Sequence, residues 1–322
     1  MKVVTFGEIM LRLNPSGFER FLQADAFLAT YAGAEANVAV ALAGFGVDTS
    51  YVSKVPAHEI GQAAVNALRR FGVSTEHLLR GGDRLGVYFL EKGASQRGGK
   101  VIYDRAGSAI ATARRDEFDW PRIFDGADWF HLTGITPALS GELAGAALDA
   151  VRCAKDMGLT VSMDLNYRAK LWSREQAREV LAGILPYVDY CKDPFWYEDG
   201  ERDVPTLVGR MMRDFALRGV IVTEREAHSA SDHTWGATFY TEGKAYASRK
   251  YEMHVVDRVG GGDALAAGWI YALLNGYDPQ ATVEFATAAG CLKHSIEGDF
   301  NLVSVDEVKA LAEGSASGRV QR

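Results

Sequence analysis

The chain of 322 residues is 48% hydrophobic and 24% charged, which is typical of a globular protein with one large α/β domain or two smaller ones. Its net charge of −7 comes without a basic stripe, which argues against a nucleic-acid partner. There is no signal-peptide pattern and no apolar run long enough to span a membrane, and the three cysteines are widely spaced, as reduced thiols are. We therefore expect a cytoplasmic protein with no membrane partner.

Predicted strands and helices alternate along most of the chain. Short β-rich runs occupy residues 3–6, 51–55, 129–132, 160–163 and 220–223. Helical segments are predicted at 35–45, 58–71, 141–157, 174–185 and 206–218. This alternation predicts a mainly parallel sheet covered by helices on both faces.

Two segments interrupt the alternation with short strand-like runs that no helix separates. They are residues 10–31 and 84–105, and we interpret them as a small β-sheet lid on the main domain. A lid suits group transfer because its closure excludes water. The alternative is a sheet used for dimer contacts, and both can hold, since exposed strand edges need covering. We expect a single domain over residues 1–313 and a flexible tail at 314–322.

The most informative motif is the run Gly260, Gly261, Gly262 and Asp263, which precedes an apolar helical segment at 264–274. Backbone N–H groups at the start of a helix have no internal partner, and with the helix dipole they form a site for phosphate or another anion. A carboxylate beside a phosphate is poorly placed as a ligand but well placed to accept a proton from a substrate hydroxyl. The motif indicates phosphoryl transfer with Asp263 as the base. The alternative is an ordinary tight turn before a helix.

Further polar residues follow the predicted strands, at the edge where ligands bind in open α/β sheets. Glu8 follows the first strand, and Asp164, Asn166 and Arg168 follow the strand at 160–163. The planar guanidinium of Arg168 can bind a substrate carboxylate or the transferring phosphate.

These motifs resemble those of the PfkB, or ribokinase-like, carbohydrate kinases. The resemblance rests on Asp-x-x-Gly-x-Gly-Asp at 257–263, on Phe-Gly-Glu-Ile-Met at 6–10 and on Gly-Ala-Glu-Ala-Asn-Val-Ala at 33–39, and it extends from about residue 3 to about residue 310. Segments 103–109 and 164–172 are most similar to those of the 2-keto-3-deoxygluconate kinases. The resemblance implies a ribokinase-like, three-layer α/β fold with a small β-sheet lid.

It also implies the roles of individual residues. Asp263 is the base, and the N–H groups of residues 260–263 hold the transferred phosphate. The residues that face the sugar acid are Gly33, Tyr88, Tyr103, Arg105, Arg168 and Asp299. The residues on the ATP side are Asn166, Thr223, Arg225, Ser229 and Ser231. Magnesium accompanies ATP, with its protein ligands unassigned, and a monovalent cation is a further candidate cofactor.

Four of the sugar-side residues also have purely structural interpretations. Tyr88 and Tyr103 can simply pack within the lid, and Asp299 can cap a turn. Arg105 can pair with a neighbouring aspartate, Asp104 or Asp83.

The nucleotide side departs from the family pattern in two places. Residues 224–231 lack the small glycine loop that usually lies under the ATP phosphates, and residues 189–200 lack the usual Asn-x-x-Glu. Lys192, Asp193 and Glu198 are candidate substitutes, none of which we assign.

Three hypotheses follow. The first is an ATP-dependent kinase that converts 2-keto-3-deoxy-D-gluconate to its 6-phosphate, with a homodimer formed through the lid. The second is another kinase of the family, acting on fructose, ribose or a nucleoside. The third is a sugar-binding regulatory protein with a decayed nucleotide site.

Overall fold

The computed structural model describes residues 1–194 and 203–314. Glu198 and residues 315–322 of the expected tail lie outside the described residues. Within the described part, no helix is both long enough and apolar enough to cross a membrane.

The strands and helices follow one another in the alternating order that the sequence predicts. The strands are β1 (Lys2–Phe6), β2 (Met10–Asn14), β3 (Leu28–Ala32), β4 (Asp48–Val55), β5 (Leu78–Arg80), β6 (Gly86–Glu91), β7 (Lys100–Asp104), β8 (Trp129–Thr133), β9 (Thr160–Asp164), β10 (Tyr190–Lys192), β11 (Gly219–Ala227), β12 (Asp232–Thr241), β13 (Lys244–Ala247) and β14 (Tyr251–His254). The helices are α1 (Ala34–Gly44), α2 (Glu59–Arg69), α3 (Trp120–Ile123), α4 (Gly141–Asp156), α5 (Arg174–Ile184), α6 (Val204–Phe215), α7 (Gly261–Leu274), α8 (Pro279–Lys293) and α9 (Val305–Ala312).

The large sheet has the strand order β13-β12-β11-β10-β9-β8-β1-β4-β5. Neighbouring strands from β11 to β5 run parallel, so their carboxyl ends lie at one edge. Strand β12 pairs antiparallel with β11, β13 and β14, which adds an antiparallel border that the sequence did not predict. The predicted, mainly parallel sheet is confirmed.

Alternating side chains of β1 show how the sheet separates two helical layers. Val4 and Phe6 belong to a core cluster that contains side chains of α4, α5 and α6. Val3 belongs to a second cluster on the opposite face, built with α1, α7, α8 and α9. Because successive strand residues face opposite ways, one apolar strand is buried on both faces. The expected three-layer arrangement is therefore present.

The interrupting segments form a separate small sheet with the order β3-β2-β6-β7. Strand β2 pairs antiparallel with β3 and parallel with β6, and β6 pairs antiparallel with β7. We call this sheet the lid. Its strands come from both of the segments that break the α/β alternation.

One strand is longer than predicted. Strand β11 continues past residue 223 to Ala227 and pairs with β12 over its whole length. A tight turn at 228–231 then leads into β12. Cross-strand hydrogen bonding therefore satisfies the backbone of residues 224–227, for which the sequence predicted no strand.

Candidate active site

A cavity of about 680 Å³ lies between the lid and the carboxyl ends of the parallel strands. Of the candidate residues that the sequence analysis named, those that line it are Glu8, Gly33, Tyr88, Tyr103, Arg105, Asp164, Asn166, Arg168, Lys192, Asp193, Arg225, Gly260, Gly262, Asp263 and Asp299. Sites far apart in sequence thus meet at one place, as expected for the edge of a parallel sheet.

The glycine run forms the start of α7, and at two of its three positions any side chain larger than that of glycine would clash. Gly260 has a φ of +85°, and a Cβ there would lie 2.0 Å from the carbonyl oxygen of Asp299. A Cβ on Gly261 would lie 2.2 Å from the His294 ring. Gly262 is different, because a Cβ there would meet only the end of Lys192, at 3.6 Å. Its place in the run is explained by open space next to the first N–H groups of the helix, where an anion fits.

Asp263 stands in the first turn of α7 and faces the cavity. Its Oδ2 accepts a hydrogen bond of 2.7 Å from Nδ2 of Asn37, which lies on α1. Burial raises the pKa of Asp263 to about 6, against the lowering effect of the Asn37 bond. A carboxylate with this pKa is ionised at neutral pH and is more basic than an ordinary aspartate, as a general base requires.

Lys192 ends β10 and carries a buried positive charge into the same cavity. Its ammonium donates to Asp164 Oδ2 at 3.0 Å and to Asp193 Oδ2 at 2.5 Å. Burial alone would lower the pKa of Lys192, but the two carboxylates raise it above its ordinary value. The side chain therefore stays protonated beside Gly262 and Asp263.

Thr223 is not a cavity residue. Its backbone N–H and its hydroxyl both donate to Asp193 Oδ1 at 2.8 Å, and this fixes the carboxylate that holds Lys192. The contact of Thr223 with ATP stays a prediction. In the structure its observed role is to hold Asp193, and through it Lys192.

The two arginines assigned to the sugar acid differ in their partners. Arg105 pairs with Glu8, with a 2.8 Å bond from its Nε, and its guanidinium lies 5.3 Å from the centre of the Tyr103 ring. The structural alternative, pairing with Asp104 or Asp83, was wrong, because Asp104 accepts from Arg84 instead. Arg168 is exposed and forms no ion pair among the described residues, so its guanidinium is available for a ligand.

Asp299 connects the lid with the main domain. It accepts a 2.6 Å hydrogen bond from the Tyr88 hydroxyl of β6 and pairs with Arg12 of β2. Arg12 is 1% exposed and also pairs with Asp257, 2.5 Å away. The Tyr88 ring lies against that of Tyr103, with centroids 5.9 Å apart. Both tyrosines therefore pack in the lid, as the structural interpretation expected, and also line the cavity.

Ser229 and Ser231 lie in the turn between β11 and β12 and do not line the cavity. The Ser229 hydroxyl accepts from the N–H groups of Ser231 and Asp232 at 3.0 and 2.9 Å. The Ser231 hydroxyl accepts from the N–H of Ser95 in the lid, at 3.0 Å. Their hydroxyls are engaged in the turn and in a contact with the lid rather than directed at a phosphate.

Sequence reasoning assigned no role to four residues that shape this site: Asn37, Arg12, Arg258 and Lys293. Two of them had a signal, since Asn37 lies within the motif at 33–39 and Arg258 within the glycine motif. Arg12 alternates with apolar residues of a short strand, and Lys293 ends an apolar helix, so their partners depend on the tertiary fold.

Comparison with known proteins identifies the family. The pfkB family carbohydrate kinase model matches residues 1–192 and 234–301 and leaves out residues 193–233, which include 224–231 and most of 189–200. The chain is 35% identical to 2-dehydro-3-deoxygalactonokinase of Haloferax volcanii, over 98% of both chains. It is 29% identical to 2-dehydro-3-deoxygluconokinase of Bacillus subtilis, over 94% of this chain and 92% of that one.

A solved structure of 2-dehydro-3-deoxygluconokinase from Thermotoga maritima superposes with a TM-score of 0.93 at 46% identity and covers 98% of both chains. The fold, the glycine motif with its aspartate and these relatives all indicate the same family. The chain belongs to the PfkB family of carbohydrate kinases.

Proposed function

We propose that this kinase transfers the γ-phosphate of ATP to the primary hydroxyl of a sugar acid, with 2-keto-3-deoxy-D-gluconate as the favoured substrate and its 6-phosphate as the product. The observation that carries the proposal is Asp263, a carboxylate with a raised pKa at the open start of α7. It lies in the same cavity as Arg168, which has no ion-pair partner among the described residues. The relatives named for 2-dehydro-3-deoxygluconate and 2-dehydro-3-deoxygalactonate support a sugar acid as the substrate class.

At the reacting end, Asp263 accepts the proton of the attacking hydroxyl. The free N–H groups at 261–263 and the ammonium of Lys192 stabilise the charge of the phosphoryl group. Lys192 is fixed by two carboxylates before substrate arrives, so it needs no reorganisation during transfer.

At the sugar end, the carboxylate of the substrate binds Arg168, the cavity arginine of the sugar side that has no protein partner in the described residues. Arg105 is held by Glu8 and stacked on Tyr103, and it shapes the pocket and contributes positive potential. Gly33 brings the start of α1 to the same pocket, because a Cβ there would lie 1.9 Å from the Glu8 carbonyl oxygen.

At the nucleotide end, Arg225 and Arg258 line the cavity and repel each other, and burial together with Arg225 lowers the pKa of Arg258. Neither arginine has an ion-pair partner in the described part of the chain, so the two cations suit the phosphates of ATP, and Asn166 adds an amide to the same cavity. Among the described residues there is no cluster of three metal-ligating side chains. Magnesium therefore enters as part of the MgATP substrate and offsets the phosphate charge.

Surface features of the lid support a second copy of the chain as partner. Several large apolar side chains there are exposed: Phe18 by 58%, Leu22 by 97%, Leu28 by 62% and Ile102 by 52%. Covering them in a homodimer removes this apolar surface from water. Analytical ultracentrifugation of wild type and of Leu28→Lys tests this, and a wild-type monomer at micromolar concentration contradicts it. The unpaired thiols fit a cytoplasmic location.

A coupled ADP-release assay tests the activity. The panel is 2-keto-3-deoxygluconate, its C4 epimer, fructose and ribose, and we expect kcat/KM to be highest for a sugar acid. Asp263→Asn keeps the shape of the side chain but removes the base, so kcat should fall by roughly 10²–10⁴-fold while MgATP binding persists. Turnover with neutral sugars only would contradict the sugar-acid assignment, and near-normal turnover in Asp263→Asn would contradict the assignment of the base.

A further inference from the structure

Lys293 has no role in the chemistry described above, yet it carries a charge into the protein interior. It is the last residue of α8 and is 0% exposed. Its ammonium donates to the carbonyl oxygen of Asp257 at 3.0 Å and to that of Ile296 at 3.3 Å.

The partners of this ammonium are unusual for a buried lysine, because they are main-chain carbonyls rather than a carboxylate. Burial is costly for a charge that has no opposite charge in contact. Two carboxylates that act on this ammonium, Asp257 and Asp299, are already held by Arg12. Burial lowers the pKa of Lys293, and these two carboxylates oppose that effect. Carbonyl oxygens around a single positive charge are also what holds a bare potassium ion in proteins.

The carbonyl of Asp257, which accepts from Lys293, belongs to the loop that leads into the glycine run, whereas that of Ile296 follows α8. Asp257 accepts from the N–H of Val259 and from that of Gly298, each at 3.1 Å. Gly260 follows Asp257 three residues later and packs so closely on Asp299 that a Cβ would lie 2.0 Å from the Asp299 carbonyl oxygen. Lys293 therefore fixes the peptide from which the phosphate-binding turn starts.

We propose that Lys293 is a positioning residue whose ammonium acts as a built-in monovalent cation, so that the turn at 257–262 keeps its shape without a free potassium ion. The inference rests on the proposed role of that turn in phosphoryl transfer. It replaces our expectation that a monovalent cation is a cofactor of this chain.

The first experiment needs no variant. Turnover of wild type is measured in buffer whose only monovalent cation is tetramethylammonium, and then with potassium, sodium or ammonium chloride at equal ionic strength. We expect kcat to agree within about twofold in all four. An activation of fivefold or more by potassium would overturn the proposal, because the site would then need an added ion.

Two variants separate the charge from the packing. Lys293→Ala leaves a carbonyl-lined space, so kcat should fall at least tenfold in tetramethylammonium and recover saturably with potassium or ammonium. Lys293→Met fills the space without a charge, so kcat should fall similarly and not recover. The KM for the sugar substrate should change less than threefold in both, because Lys293 does not line the cavity. Lys309→Ala removes an exposed lysine and serves as the control.

Wild-type kcat in Lys293→Met, or a folded Lys293→Ala that potassium and ammonium leave unchanged, would overturn the proposal. All measurements use whichever sugar of the panel is turned over fastest. A wrong sugar-acid assignment therefore changes the substrate that is used and leaves the cation response as a separate result.

Discussion

The hydrogen bond from Asn37 to Asp263 gives the sharpest test of the base, because its removal should move the pH profile in a known direction. The Asn37 amide donates to the ionised carboxylate at 2.7 Å and therefore lowers the pKa of Asp263, which burial raises to about 6. Asn37→Leu has a side chain of similar size and no donor. The variant should raise the pKa of Asp263 further.

The size of the shift follows from the strength of that bond. A hydrogen bond to a charged group contributes about 1.5–3 kcal/mol, and one pKa unit corresponds to about 1.4 kcal/mol, so the shift is about 1–2 units. The acid limb of kcat/KM, which reports the free enzyme, should move from about 6 in wild type to about 7–8 in the variant. At pH 7 the ionised fraction of the base falls from about 90% to between about 10% and 50%.

The measurement is kcat/KM for the sugar from pH 5 to 9.5 at constant ionic strength. Activity of Asn37→Leu should approach its own plateau only at alkaline pH. The control is Asn275→Leu, since Asn275 lies at the opposite end of α7 and is exposed there. An acid limb that stays near 6, or moves to lower pH, in a folded Asn37→Leu would show that another group is titrating.

Three further predictions address other parts of the site. Gly262→Ala should keep the wild-type melting temperature, because among the described residues the added Cβ meets only the end of Lys192, at 3.6 Å. Its kcat should fall about tenfold or more, since the methyl group occupies the phosphate site, and wild-type turnover would contradict this anion site. Arg168→Met should raise KM for a sugar acid by roughly 10–150-fold and leave KM for a neutral sugar nearly unchanged in steady-state kinetics on both. Equal increases in KM for the two sugars would indicate that the arginine binds phosphate instead. Glu35 has its pKa raised by burial from 4.5 to about 7, so its stabilising effect is full below pH 4.5 and is lost as pH rises through 7. Urea unfolding of wild type relative to Glu35→Gln should show a loss of about 3 kcal/mol between pH 4.5 and 8, and a constant difference would refute that pKa.

Features set by local sequence were predictable. The glycine run, the helix that follows it and the polar residues after β9 all depend on neighbours in the chain, and the structure brings them to one cavity. The strands and helices predicted between residues 3 and 223 are present for the same reason, because the pattern of apolar and polar residues specifies which face is buried, whereas β12, β13 and β14 were not predicted.

The partners of charged side chains were not predictable, because they are set by the tertiary fold. From the sequence alone, both Arg105 and Arg168 were predicted to bind the substrate carboxylate. Glu8 lies 97 residues from Arg105 in the chain and reaches it only because β1 and the lid meet. The length of β11 was not predictable for the same reason, since its pairing with β12 extends the strand past residue 223, where the run of apolar residues ends.

The strand order itself supports the assignment of the two substrates. Lys192 is the last residue of β10. This strand lies between β9, after which Arg168 occurs, and β11, which carries Arg225. Strands lie about 4.8 Å apart, so β9 and β11 are separated by about two strand spacings, with β10 and its buried Lys192 between them. A sugar carboxylate at one arginine and the ATP phosphates at the other place the transferred group near Lys192. Because Gly262 and Asp263 adjoin the same lysine, the proposed function places the base and the N–H groups of α7 at the point where the two substrates would come together.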